Sequence, residues 1–165
     1  MLKKFLQAFR PSGRAPALPD PDAELALGAL LVRVAQSDRD YQFEEIRLID
    51  RILARLYQHD AVEAAMVRAT CEKLHSAAPE TDTFAKLIRE TTGIDERLAA
   101  LDALWEVLLA DGVEHEGEIR IIAESCKAMG LSEIDNRRAR DKAREKLAAQ
   151  GAPLSAEAEP APQGD

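Results

Sequence analysis

Leu104-Trp105-Glu106-Val107-Leu108-Leu109-Ala110-Asp111-Gly112-Val113-Glu114-His115-Glu116-Gly117-Glu118-Ile119-Arg120-Ile121-Ile122 holds an apolar helical run, a glycine turn and the start of a second helix. Glu118 stands seven positions after Asp111 and is followed by Ile-Arg and two aliphatic residues. The same order returns between Leu31 and Ile49: Asp38, then Glu45 seven positions on, then Ile46-Arg47-Leu48-Ile49. The two copies are offset by 73 residues throughout. A fixed internal offset of this kind predicts a duplicated architecture. The apolar positions 94, 98, 101, 104, 105 and 108 share one helix face. Asp95 is placed to cap that helix, and Gly112 to end it in a left-handed turn that a Cβ would oppose. Asp111 then sits at a helix C-terminus, where a negative charge is unfavourable and calls for a partner. Glu118, Ile119, Ile122, Cys126 and Met129 continue as a second helix, closed by Gly130.

Ala110-Asp111-Gly112 with Glu118, preceded by Leu104-Trp105-Glu106-Val107 and followed by Ser132 to Arg140, resembles the second half of the TerB-like, tellurite-resistance family. The resemblance covers roughly residues 22 to 145, and the first half departs from the family pattern with Ser37-Asp38-Arg39 in place of Ala-Asp-Gly. It implies an all-α fold, a compact bundle of about seven helices with two pseudo-repeated helix-loop-helix units. It also implies acidic residues gathered at one end and a non-catalytic accessory role in a tellurite or metal-stress response.

Length and composition agree with a single helical domain. The chain has 165 residues, a net charge of −8 and only 4% aromatic residues, and its apolar content is mostly Leu, Ala and Ile. An acidic balance argues against nucleic acid as a partner. Cys71 and Cys126 form no Cys-x-x-Cys and fit a reducing, cytoplasmic setting as inert buried thiols.

In chain order, residues 1–10 form an amphipathic N-terminal segment, with Leu2, Phe5, Leu6 and Phe9 on one face and Lys3, Lys4 and Arg10 around the other. It is a candidate for docking on the bundle, for fraying as a disordered end, or for weak contact with the inner membrane surface. Residues 11–21, with four prolines, read as a linker. Residues 22–149 are expected to form the TerB-like helical domain, and residues 150–165 read as a disordered acidic tail. Within the domain the expected inward faces are Leu27, Leu30, Leu31 and Val34; then Ile46, Ile49, Leu53 and Leu56; then Val62, Met66, Ala69 and Leu74 on a helix that Pro79 stops. A short helix over about 83–91 presents Phe84, Leu87 and Ile88 and ends at Gly93. Asp60 with Glu63, and Ser132 with Asp135, read as helix starts. The final helix carries a thin apolar face of Ile134, Ala139, Ala143 and Leu147 among many Arg and Lys.

The candidate site is the pair of acidic turns. Asp38, Glu45, Asp111 and Glu118 are the candidate metal ligands, in a chemistry suited to a hard divalent cation, Ca²⁺, Mg²⁺ or Mn²⁺. The plain alternative is structural: each Glu complements a helix dipole, and each Asp caps its loop or pairs with Arg47 or Arg120. His115 adds a ring nitrogen to the second turn, as a ligand or as a solvated loop residue. Trp105 reads as core. The sequence offers no phosphate-binding glycine loop and no nucleophile with a recognisable base, so no catalytic residues are expected. Protein partners are expected, either for a stress-response accessory or for an interaction scaffold whose acidic turns only hold its own loops.

Overall fold

The computed structural model describes residues 18–37, 40–78 and 80–151. The N-terminal segment, most of the Pro-rich linker, Asp38, Pro79 and the tail from residue 152 lie outside them. The described residues form seven α-helices and no strand: α1 (Ala23–Gln36), α2 (Phe43–Tyr57), α3 (Ala61–Ala77), α4 (Thr81–Thr91), α5 (Ile94–Leu108), α6 (Glu116–Ala128) and α7 (Glu133–Ala149). A single 3-10 turn, Leu109–Asp111, prolongs α5.

The duplication in the sequence is a duplication in space. Phe43 and Glu116, which open α2 and α6, are 73 residues apart, the offset of the repeat. The first helices of the two units, α1 and α5, pack on each other at the centre. Each also packs on its own second helix and on the other unit's second helix, so α1 touches α2 and α6, and α5 touches α6 and α2. The third helices cover the outside, α3 over α1 and α2, α7 over α5 and α6. The short α4 precedes the second unit and lies across α1 and α6.

Local chemistry sets the ends of these helices. Asp22 Oδ1 accepts from Leu25 N at 2.9 Å to start α1. The Asp60–Glu63 and Ser132–Asp135 starts are both reciprocal capping boxes. Gly112 and Gly130 end their helices with φ of +74°, a conformation that favours glycine. Asp95 is not a cap: Gly93 takes the N-cap position of α5, and Asp95 lies inside its first turn, where its charge still suits the dipole. The short helix ends at Thr91 with Thr92 as its C-cap, whose Oγ1 donates to Ile88 O, and it begins at Thr81 rather than about 83.

α1 is the most enclosed element, buried without a break from Leu25 to Ala35, because α2 to α6 all pack against it. The second-unit core of Leu101, Leu104, Trp105, Leu108, Ile122, Cys126 and Met129 lies where the sequence places it. On α3 the buried face is Ala64, Val67, Cys71 and Leu74, not the phase through Val62, Met66 and Ala69; Val62 is 69% exposed. The segment is rich in alanine, so two neighbouring faces carry helical apolar spacing, and only the close approach to α1 selects between them. That approach is made at Gly28, where a Cβ would lie 2.2 Å from Cys71 Sγ. Ile94 and Ile134 are exposed as well, each in the first turn of its helix.

Candidate functional site at the acidic turns

The two repeated glutamates occupy one structural position. Glu45 and Glu118 are each the third residue of a second helix, α2 and α6. Both are buried, 7% and 2% exposed, in a part of the helix where a carboxylate complements the positive end of the dipole. Glu45 Oε2 accepts from Gln42 N at 2.9 Å and so closes the N-terminus of α2.

Asp111 is exposed at the end of the 3-10 turn. Its Oδ1 accepts from Val113 N at 2.9 Å, and its Oδ2 lies 3.3 Å from His115 Nε2. The charge that the C-terminal end of a helix disfavours is therefore answered by a loop amide and a ring nitrogen. The expected pairing of Asp111 with Arg120 is not made, since Arg120 sits 3.9 Å from Glu116; on the other unit the Arg47 guanidinium lies 5.6 Å over the Phe43 ring. Asp38 lies outside the described residues. Among the described residues, no three His, Cys, Asp or Glu side chains are grouped so as to hold a metal ion.

Two further residues, not singled out by spacing, hold the turns in place. They are Tyr41 and Glu114, again 73 residues apart. Tyr41 Oη donates to Glu72 at 2.8 Å on α3, where Arg68 bridges Glu72 at 2.8 Å and Asp50 at 2.6 Å. Burial first, then the neighbouring Glu72 carboxylate, pushes the Tyr41 hydroxyl well above its usual range. Glu114 is clamped on α7 by Arg140 at 2.5 Å and Arg144 at 2.7 Å. Burial alone would raise its carboxyl, but hydrogen bonds and charge from the two arginines outweigh it and hold the group below its usual 4.5. Each turn is thus tied to the third helix of its own unit by different chemistry at the same repeat position. No residue-type pattern carries that equivalence; only the 73-residue offset applied position by position finds it.

The outer rim of this end exposes Phe43, at 65%, and Val113 among the exposed carboxylates of Asp40, Glu44, Asp111 and Glu116. α2 packs on the 3-10 turn, and Glu44, next to Phe43, lines one groove with Leu109 and Ala110, next to Asp111. Both cysteines are buried thiols; burial pushes Cys126 up to about 11 and Cys71 further, which keeps them protonated and unreactive at neutral pH. No helix among the described residues is long and apolar enough to cross a membrane.

The family model described as "Tellurite resistance protein TerB" matches residues 24–141, from the first turn of α1 into the middle of α7. No curated protein and no solved structure matches the chain.

Proposed function

The chain belongs to the TerB family, and from that premise we propose that it is a non-catalytic, cytoplasmic accessory protein of a tellurite or metal-stress response that acts by contact with another protein. The observation that carries this reading is the rim at the acidic turns. Phe43 and Val113 stand exposed among the carboxylates of Asp40, Glu44, Asp111 and Glu116, with the Arg47 guanidinium over the Phe43 ring. Such a surface suits a partner segment with an apolar anchor and basic flanks, because charge steers the encounter and the apolar contact holds it. The clamps at Tyr41 and Glu114 keep this surface fixed, so little ordering cost falls on binding.

A second reading places a divalent cation, Ca²⁺, Mg²⁺ or Mn²⁺, on Asp38, Glu45, Asp111 and Glu118. The matched burial of Glu45 and Glu118 favours it. Against it stand the local duties of Glu45 and Asp111, each of which serves a backbone amide of its own turn.

Photo-cross-linking from position 43 in cells exposed to tellurite tests the contact reading, with position 62, exposed at the far end of α2 and α3, as control. An adduct from 43 that is absent from 62 and lost in Val113→Glu is expected; no adduct from 43 sinks the reading. Thermal unfolding of metal-free protein with each cation separates the second reading. A ligand at about 100 times its Kd raises stability by about 2.7 kcal/mol. A saturable shift that vanishes in Asp111→Ala/Glu118→Ala would establish the cation site.

A further inference from the structure

Among the described residues, one place in the symmetry of the bundle has no helix on it. α4 lies on α1, the first helix of one unit, and on α6, the second helix of the other. The repeat carries α1 onto α5 and α6 onto α2, so the equivalent place lies on α5 and α2. There the surface is an open groove of about 720 Å³ between α2 and α7, floored by Leu48, Ile52, Leu109, Ala143 and Leu147. It continues along α5 as a second hollow of about 350 Å³ beside Leu56, Ala99 and Ala139.

Residue by residue, the groove looks like the α4 seat with its cover removed. Met129 on the α6 side is fully buried and Leu74 on α3 nearly so, whereas Leu56 and Leu147, at the same repeat positions, are part-exposed. Arg33 is buried under α4, with the Phe84 ring 5.5 Å away. Its repeat equivalent, Glu106, lies in the groove and is reached from the two walls by Arg55 at 2.9 Å and Lys146 at 3.1 Å.

α4 precedes the second unit in the chain, so its mate should precede the first. Phe84-Ala85-Lys86-Leu87-Ile88-Arg89 on α4 reads apolar, apolar, polar, apolar, apolar, Arg. Phe5-Leu6-Gln7-Ala8-Phe9-Arg10 reads the same, and it lies ahead of α1. We propose that residues 2–10 dock as a helix in the α2–α5–α7 groove, as the symmetry mate of α4, with Phe5 and Phe9 as its anchors.

The tether permits this. α1 starts beside the C-terminus of α2, where Glu24 pairs with His59, and this is the end of the groove at Leu56 and Ala99. The residues from 11 to 22 can span about 36 Å when extended, more than the length of a nine-residue helix, about 14 Å. Alone, such a short helix is marginal; an apolar seat supplies what it lacks.

The test uses the full chain with a cysteine placed in turn at positions 2, 6 and 8, each paired with Leu147→Cys in the groove or with Glu90→Cys on exposed α4. The native Cys71 and Cys126 are buried and do not compete. Under mild oxidation, a disulfide within the monomer is expected with position 147 and not with 90, and Phe5→Asp/Phe9→Asp should abolish it. The same Phe5→Asp/Phe9→Asp change should lower the thermal midpoint of the otherwise native chain by on the order of 5 °C. The proposal is overturned by an absence of intrachain disulfide from all three positions, or by disulfides only between chains, which would make a second copy the occupant. An unchanged midpoint overturns it too, as does phosphatidylglycerol-vesicle binding through residues 1–10 without the intrachain disulfide.

Discussion

Arg33 Nε donates to His75 Nδ1 at 3.0 Å, across the contact between α1 and α3. The rest of the guanidinium is spent on Thr81 Oγ1 and on the carbonyls of His75 and Ala78, at the point where the chain leaves α3 for α4. His75 must be neutral at Nδ1 to accept this bond. Burial first, and then the Arg33 charge, lowers its pKa from 6.5. The unfolded chain therefore binds a proton more readily than the folded one. The stability this contact contributes is intact above pH 6.5 and is lost as the pH falls below it toward the lowered folded value. His75→Gln, which keeps an acceptor and cannot titrate, should flatten the fall in thermal midpoint between pH 7.5 and 5.5; an identical fall in both proteins refutes the assignment. Arg33→Ala strands the carbonyls it serves and should cost about 3 kcal/mol in urea unfolding.

Gly28 gives a prediction whose sign separates two effects. Helix propensity alone says that Gly28→Ala stabilises α1 by about 1 kcal/mol. The added Cβ would meet Cys71 Sγ at 2.2 Å and Cys71 Cβ at 3.2 Å, in a buried contact with nowhere to move. Overpacking of this kind costs about 1–3 kcal/mol, so the net change should be a loss. Adding Cys71→Ala removes the sulfur and should recover part of it. Denaturant midpoints of the two variants against the parent decide the matter, and a stabilised Gly28→Ala would show that α1 and α3 are not in such close contact.

What the sequence makes legible here is whatever is local or periodic. The apolar face of α5 from Leu101 to Leu108, the glycine stop at Gly112 and the capping boxes at Asp60 and Ser132 each depend on residues a few positions apart, and each is found where the pattern puts it. The inward phase of α3 is not local: Val62 and Val67 suit a buried face equally well until Gly28 lets α1 close on one of them. Arg33 is similarly opaque, since an arginine inside an apolar run reads as a solvated interruption until His75, Ala78 and Thr81 converge on it from forty residues away. At the acidic turns, a match of residue types finds Glu45, Asp111 and Glu118 but passes over Tyr41 and Glu114, which do the same work with unlike side chains.

Glu114 yields an acid-side prediction. Its carboxyl is held below 4.5, so its contribution to stability is present above the unfolded pKa and is lost as the pH falls through the folded value. Glu114→Gln should lower the midpoint at pH 7 and narrow the gap to the parent as the pH is taken from 5 to 3. Arg140 and Arg144 are more than one-third exposed, so solvent screening limits the cost at pH 7 to about 1 kcal/mol. Midpoints that stay parallel across that range would remove Glu114 from the account of how the second turn is held.

Trp105 ties the last turn of α5 to α7. The indole is almost wholly buried, its Nε1 donates to Asn136 Oδ1 at 2.8 Å, and the Arg140 guanidinium lies 5.7 Å from its ring. Trp105→Phe removes the donor and leaves the Asn136 oxygen facing a smaller ring; the loss should be about 2 kcal/mol, part volume and part hydrogen bond. The two parts separate in a double-mutant cycle. Asn136→Ala removes the acceptor alone, and the pair Trp105→Phe/Asn136→Ala should be less destabilised than the sum of the singles by about 1 kcal/mol, the coupling expected of groups in direct contact. Strict additivity would mean that the indole is held by packing alone. Arg140 links this contact to the acidic turn, since the same guanidinium that covers Trp105 holds Glu114. Trp105→Phe should therefore also weaken the acid-side effect of Glu114→Gln, which a change confined to the core would leave untouched.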